Sequence, residues 1–145
     1  MIKIDYPTYL PKIKIERDKE FIFDAIRKQW IMLTPEEWVR QNFLQYLLVV
    51  KKYPASLIAV EKEIKLGDVF KRFDIVVYDS ATKPWMVIEC KEMNITLDEK
   101  VLNQVLNYNI TLNVPYIIIT NGTFSYGFLA ENNQLNELTR MPDFV

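Results

Sequence analysis

The sequence predicts an α/β protein whose mixed central sheet is flanked by helices and preceded by a β-rich N-terminal arm. Three observations support this fold class. Capping signals mark the starts of two helices, apolar stretches of strand length lie between and after them, and 50% of the 145 residues are hydrophobic, enough for a core. The expected order is a first helix, a three-strand meander, a second helix and two further strands.

The N-terminal residues 1–33 are predicted to be an extension with short strands that packs on the core. Pro7, Pro11 and the mixed charges of residues 12–20 indicate a peripheral segment. Residues 21–33 are rich in β-forming side chains and predict one or two short strands. The core of this single domain then spans residues 34–145.

The first helix has a strong start signal at Thr34. Thr34 is the expected N-cap, Pro35 takes the first helical position, and Glu37 completes a capping box. The helix should run to about residue 51. Glu36 and Arg40 lie one turn apart at the N-terminal end of its apolar stripe. Glu36 therefore either serves the positive helix end and pairs with Arg40 at the edge of the core, or has a functional role.

Strand-like periodicity begins after this helix. The predicted strands cover residues 57–66, 70–79, 85–91, 115–120 and 125–129. A hairpin-like connection at Gly67 and Asp68 joins the first two. A second capping box from Thr96 to Glu99 starts the second helix, expected at 96–113. This helix is the crossover to the fourth strand, whose apolar run indicates burial on both faces.

The composition excludes several classes of function. The chain has no histidine, which rules out Ser-His-Asp and Cys-His hydrolases and His-ligated zinc or haem. Its three glycines are too scattered for a phosphate-binding loop, and its one cysteine, Cys90, cannot form an internal disulfide. With no hydrophobic leader and no stretch of membrane-spanning length, we expect a cytoplasmic protein without a membrane partner. A net charge of −1 favours neither presence nor absence of a nucleic-acid partner.

Charged residues stand at the ends of two apolar strands. Asp74 opens an apolar segment of one strand, and Glu89 and Lys91 close the next strand on one face, with Cys90 on the other. Burying an isolated ion costs several kcal/mol, so these groups need compensation. In one interpretation Lys91 pairs with Glu89 or Asp74 in a rim ion-pair network, and nothing binds.

The other interpretation is a divalent-metal site. A hard cation relieves the repulsion between two neighbouring carboxylates, and magnesium typically takes one or two of them together with water. A lysine beside such a site can orient or help deprotonate the water that attacks a phosphodiester. This chemistry needs no histidine.

These residues resemble a known family. Asp74, fourteen intervening residues and then Glu89-Cys90-Lys91 at a strand end is similar to the PD-(D/E)xK nuclease signature, with Phe73 in place of the usual proline. Gln104 and Tyr108 match the QxxxY element of its RecB-like branch. Five further segments resemble small proteins related to the N-terminal domain of type I restriction enzyme R subunits: residues 27–30, 34–41, 53–54, 72–74 and 120–122.

The resemblance implies a restriction-endonuclease-like fold and a set of site residues. Asp74 and Glu89 would be metal ligands, with the backbone carbonyl of Cys90 as a third. Lys91 would be the catalytic lysine. Gln104 and Tyr108 would line the site and hold the lysine and metal ligands or touch the DNA backbone.

Such nucleases often add a carboxylate from the first helix. Glu36 is the preferred candidate, because this role would explain its position on the apolar stripe. Glu37 is the alternative, although the capping box gives it a structural task. Glu61 is a weaker candidate, since Glu61 and Glu63 also fit a solvated strand face.

The resemblance therefore implies a nuclease that hydrolyses DNA phosphodiesters with Mg²⁺ or Mn²⁺, of the restriction or repair type. No separate domain for reading sequence is visible. Cutting is expected to be independent of sequence, directed by DNA structure, or made specific by a homodimer or a larger restriction or repair assembly. The alternative is a catalytically weak or inactive module of the same fold that binds DNA or another partner.

Overall fold

The structure is a computed structural model that describes residues 1–66, 68–109 and 113–145; Leu66, Val69, Tyr108 and Asn109 are described by their backbone alone. The strands are β1 (Ile13–Glu16), β2 (Lys19–Asp24), β3 (Gln29–Met32), β4 (Ile58–Leu66), β5 (Val69–Tyr78), β6 (Pro84–Cys90), β7 (Tyr116–Thr120), β8 (Ser125–Glu131) and β9 (Gln134–Glu137). The α-helices are α1 (Pro35–Gln45) and α2 (Glu99–Asn109), with a π-helical turn at Tyr46–Val50 and a 3₁₀ turn at Ala55–Leu57.

Two sheets organise these strands. Strands β4 to β9 form a six-stranded sheet in sequence order, in which β6 and β7 are parallel and all other neighbours are antiparallel. Helix α2 lies in the connection between β6 and β7, as a parallel crossover requires. Strands β1 to β3 form a separate antiparallel sheet. The predicted α/β class, the mixed sheet and the three-strand meander β4–β5–β6 are confirmed.

The six-stranded sheet is covered on both faces. One apolar layer packs residues of α1 against alternate residues of β5 and β6, such as Phe43 against Ile75 and Ile88. The other layer packs α2 against the opposite face, with Leu106 near Val87. Coverage on both faces explains why β6 and β7 are almost uninterrupted apolar runs. The edge where β5 and β6 present their charged residues thus lies between the two helices.

Helix α1 begins as predicted but differs in its cap and its end. The hydroxyl of Thr34 accepts a hydrogen bond from the backbone N–H of Glu37 at 3.0 Å. Glu37 does not complete the predicted capping box, because its buried carboxylate accepts hydrogen bonds from arginine side chains instead. The α-helix ends at Gln45, six residues before the predicted end, and the chain continues as the π-helical turn.

The predicted start of the second helix at Thr96 is wrong. Helix α2 begins at Glu99, and the carboxylate of Asp98 accepts a hydrogen bond from the N–H of Val101 at 2.9 Å. Asp98 therefore supplies the capping interaction, because an aspartate adjacent to the first turn satisfies an otherwise unpaired N–H. Residues 110–112, where the predicted helix would end, and the predicted hairpin residue Gly67 lie outside the described residues.

Two strands were not predicted. Strand β1 lies within the mixed-charge segment expected to be peripheral, and β9 follows the last predicted strand. In β1 the apolar residues Ile13 and Ile15 alternate with charged ones, and Lys14 covers the ring of Trp30 at 4.8 Å. Such edge strands carry charge, so their composition resembles that of a loop. Among the described residues, no helix is both long and apolar enough to cross a membrane.

Candidate active site at the ends of two strands

Asp74 and Glu89 meet where β5 and β6 lie side by side. Ile75 pairs with Ile88, and Asp74 and Glu89 are the residues directly next to this pair on their strands. Asp74 Oδ2 also accepts a hydrogen bond from the N–H of Cys90 at 2.7 Å, which ties its carboxylate to β6. The carboxyl group of Asp74 also raises the pKa of Glu89, so the two groups lie near each other. The two carboxyl groups therefore converge.

This convergence changes the protonation of Glu89. The pKa of Glu89 is raised to about 8, first by burial and then by the negative charge of Asp74, while Lys71 and Lys91 act in the opposite direction. Two carboxylates in a poorly solvated site cannot both ionise without cost. A cation placed between them would favour the ionised form of both.

Glu89 and Lys91 open into one cavity of about 380 Å³. Alternation along β6 puts Glu89 on the sheet face covered by α2, whereas Cys90 is buried in the layer under α1. Gln104 of α2 lines the same cavity and is exposed. Its remaining lining residues are Phe70, Lys71, Arg72, Val101 and Val105.

Lys71 also lines this cavity. Its Nζ lies 3.9 Å from Glu89 Oε1 and 4.8 Å from the centre of the Phe73 ring. Burial lowers the pKa of Lys71, while the charge of Glu89 raises it. The spacing of Lys71 and Phe73 on one strand face could have indicated this position.

The three acidic candidates near α1 differ in their surroundings. The Glu36 side chain is 49% exposed, 3.8 Å from Arg40, and its pKa is raised first by burial and then by the charge of Asp74. Glu37 is buried. Glu61 lies 3.4 Å from Arg40 and is not simply part of a solvated face. The expectation that Glu36 lies on the buried stripe is wrong, because the helix turns Glu37 inward.

Arg40 connects α1 to the acidic pair. Its Nη2 donates to Asp74 Oδ1 at 2.8 Å, and its Nη1 donates to Glu37 Oε1 at 2.6 Å. The expected pairing of Arg40 with Glu36 is therefore secondary. Each oxygen of the Asp74 carboxylate has one protein donor, Arg40 on one side and the N–H of Cys90 on the other. This double contact fixes the direction in which Asp74 points.

The side chain of Tyr108 lies outside the described residues, although its backbone belongs to α2. Within the described part of the chain, no group of three or more acidic or cysteine side chains is arranged to hold a metal ion. Oxygen donors at the strand ends are thus the Asp74–Glu89 pair and nearby main-chain carbonyls. A larger cavity of about 440 Å³ lies elsewhere, with Met93, Leu97 and Phe124 in its lining, and neither Asp74 nor Glu89 reaches it.

Comparisons with known proteins identify the family. Residues 35–142 match the family model described as the type I restriction enzyme R protein N terminus (HSDR_N). The chain belongs to this family. The expected resemblance to the N-terminal domain of type I restriction enzyme R subunits is thereby confirmed.

Two further comparisons complete this picture. No curated protein matches this chain significantly. A solved structure, "cryoEM structure DrdV-DNA complex", is similar over 70% of this chain at 21% identity and a TM-score of 0.48. The chain spans 10% of the length of that structure's chain.

The family match includes both strands and both helices that surround the acidic pair. The match begins at residue 35, so the three-stranded sheet β1–β3 lies before the matched residues. Spacing within strands was sufficient to indicate Asp74, Glu89 and Lys91. It gave no signal for the contact of Arg40 with Asp74, which joins residues 34 positions apart in the sequence.

Proposed function

We propose that this chain is a metal-dependent nuclease that hydrolyses DNA phosphodiester bonds. The observation that carries the proposal is the convergence of Asp74 and Glu89 beside an open cavity that also contains Lys91. DNA is the proposed substrate because the family is named for a restriction enzyme.

The donor set fits Mg²⁺ or Mn²⁺. These ions prefer oxygen ligands and commonly bind one or two carboxylates together with water. Asp74 and Glu89 would provide the carboxylates, and the backbone carbonyl of Cys90 would be a third ligand. The raised pKa of Glu89 supports this fit, because charge repulsion between neighbouring carboxylates is what a divalent ion relieves. When bound, the ion would supply Lewis acidity toward the phosphate and its leaving oxygen.

The remaining residues have separate proposed roles. Lys91 would orient the attacking water and would either offset charge on the phosphate as the ammonium or accept the proton of that water as the neutral amine. Gln104, and Tyr108 from the next turn of α2, would contact the DNA backbone or hold Lys91. Glu36 would be an additional acid at the rim, supported by the influence of Asp74 and Lys91 on its pKa.

A homodimer or a larger restriction or repair assembly is proposed as the working form. The family is described as the N terminus of an R protein, and the described residues form no separate domain for reading base sequence. Specificity would then come from another chain or domain. A cytoplasmic location is part of the same proposal.

A module of the same fold that binds DNA or another partner without useful catalysis is the second candidate. Two observations favour it: the sequence pI is about 5.6, and both oxygens of Asp74 already accept hydrogen bonds from the protein. A carboxylate oxygen has a second lone pair, so these bonds leave room for a cation.

The test is cleavage of supercoiled plasmid in Mg²⁺ or Mn²⁺. We expect the wild-type protein to nick the plasmid and Lys91→Ala to nick it roughly 100-fold more slowly, as for loss of a general acid–base group. Lys83→Ala removes an exposed lysine elsewhere and should match the wild type. Equal nicking by all three proteins would indicate a contaminating nuclease. No nicking by the wild type in either metal would favour the binding module.

A further inference from the structure

A series of buried ion pairs leads from the N-terminal sheet to Asp74. It begins at Asp24, which is fully buried at the end of β2. The Asp24 carboxylate accepts hydrogen bonds from the N–H groups of Ile26 and Arg27 at 2.7 and 2.9 Å and from Arg27 Nε at 2.7 Å. These bonds close the turn between β2 and β3 and direct the Arg27 side chain toward α1.

Arg27 then contacts the acidic residues beside α1. Its Nη2 donates to both carboxylate oxygens of Glu37, each at 3.1 Å, and its Nη1 lies 3.4 Å from Glu61. Gln41 reinforces the same connection, because its amide nitrogen donates to Asp24 at 2.9 Å and to Glu37 at 3.0 Å. The turn and the helix are joined by these polar contacts.

Glu37 contacts Arg40, and Arg40 contacts Asp74. Glu37 and Arg40 are 2.6 Å apart, Arg40 and Asp74 are 2.8 Å apart, and the side chains of Glu37 and Arg40 are only 5% and 6% exposed. Glu61 lies 3.4 Å from Arg40 as well as from Arg27, and therefore bridges the two arginines. Both guanidinium groups are thus held by shared carboxylates.

Stability alone gives a poor account of this arrangement. Burying ions costs several kcal/mol for each ion, and well-packed apolar replacements of buried ion pairs are often neutral or stabilising. The Nε of Arg40 is buried with no hydrogen-bond partner in the described part of the chain, which adds a further cost. What the arrangement achieves is a fixed direction for one carboxylate, that of Asp74.

We propose that Arg27, Glu37 and Arg40 are positioning residues for Asp74, so that the β2–β3 turn is a working part of the site. The inference rests on the proposed metal-dependent function and goes beyond it, because Arg27 lies before the residues that the family model matches. Partners that orient a metal ligand in this way typically change metal affinity or activity 10–100-fold when removed.

The test uses Arg27→Met. The loss of its charge and the loss of its positioning role should change the affinity for Mn²⁺ in different ways. Loss of a cation makes the surroundings more negative, so a charge effect alone would leave Mn²⁺ binding unchanged or tighten it. Loss of positioning should weaken Mn²⁺ binding at least about tenfold. Mn²⁺ affinity is measured from the electron paramagnetic resonance signal of the free ion, at a temperature where thermal melting shows the protein folded. The control is Lys28→Met, the same charge change at the exposed neighbouring residue.

If Arg27→Met does not fold, a conservative variant still tests the inference. Arg27→Lys keeps the charge, but one ammonium cannot reach Asp24, Glu37 and Glu61 together. We expect Mn²⁺ affinity between those of the wild type and Arg27→Met, and the same order in plasmid nicking. Wild-type affinity in Arg27→Lys and in any folded Arg27→Met would overturn this inference while leaving the proposed function intact. A wild-type protein that binds no Mn²⁺ would instead overturn both.

Discussion

At the scale of single residues, the central feature is a carboxyl group that ionises with difficulty. Glu89 is 17% exposed at its side chain and faces another carboxylate, so its pKa is raised to about 8. In the unfolded chain the same group has a pKa near 4.5. Between these values the folded state binds more protons than the unfolded state, and stability falls as pH rises.

We therefore expect the thermal stability of the metal-free wild-type protein to fall as the pH rises from about 5 to 8. The stability of Glu89→Gln should fall less over the same range. At pH 8 the variant should be more stable by on the order of 1 kcal/mol, because it has no carboxylate to ionise in a buried place. Melting temperatures from pH 5 to 9, without divalent ions, measure this difference. The exposed Glu63→Gln is the control. Parallel curves for the wild type and Glu89→Gln would contradict the prediction.

Residues whose relation is set within one strand could be predicted from the sequence. Alternation alone put Glu89 and Lys91 on one face and Cys90 on the other. The placement of Glu36 on the buried stripe was wrong, since neighbouring helix positions differ by about 100° in direction and Glu37 is the one that turns inward. Tertiary contacts such as that between Arg27 and Glu37 have no local period to reveal them.

At the scale of secondary-structure elements, the positions of helix caps decided which predictions were right. Thr34 was correctly identified because it is followed at once by a proline in the first helical position. Near α2, Thr96 and Asp98 both have cap-forming side chains, and the sequence motif favoured the wrong one. Strands β1 and β9 were missed because charged and polar residues interrupt their apolar positions, whereas the buried strands were found within a few residues of their ends.

The cap of α2 gives a prediction for that element. Asp98→Ala removes the acceptor for the N–H of Val101 and should reduce the free energy of unfolding by about 1 kcal/mol, while Asp98→Asn should retain most of it. Thr96→Ala should change it by less than about 0.5 kcal/mol, because Thr96 is exposed and lies before the helix. Urea unfolding measures all three variants. A larger loss in Thr96→Ala than in Asp98→Ala would assign the cap to Thr96.

At the scale of the whole molecule, the proposed metal site and the fold should be thermodynamically linked. Asp74 and Glu89 come from two strands, and Asp74 is in turn held by α1, so the two proposed ligands are brought together only in the folded chain. An ion that binds the folded form and not the unfolded form stabilises it by about 2.7 kcal/mol at a hundred times its dissociation constant. For a domain of this size, that corresponds to a rise in melting temperature of roughly 5–10 °C.

We accordingly expect Mn²⁺, at a hundred times the dissociation constant found by titration, to raise the wild-type melting temperature by that amount. Glu89→Gln should show almost none of this rise, although it starts from an equal or higher melting temperature at pH 8. In Glu89→Gln the melting temperature without metal should be equal or higher, while the rise caused by Mn²⁺ should be lost. Damage to the fold would instead lower the melting temperature and the Mn²⁺-dependent rise together. Calorimetry with and without Mn²⁺ measures them in one series. An equal rise in the wild type and in Glu89→Gln would mean that the ion binds elsewhere on the protein.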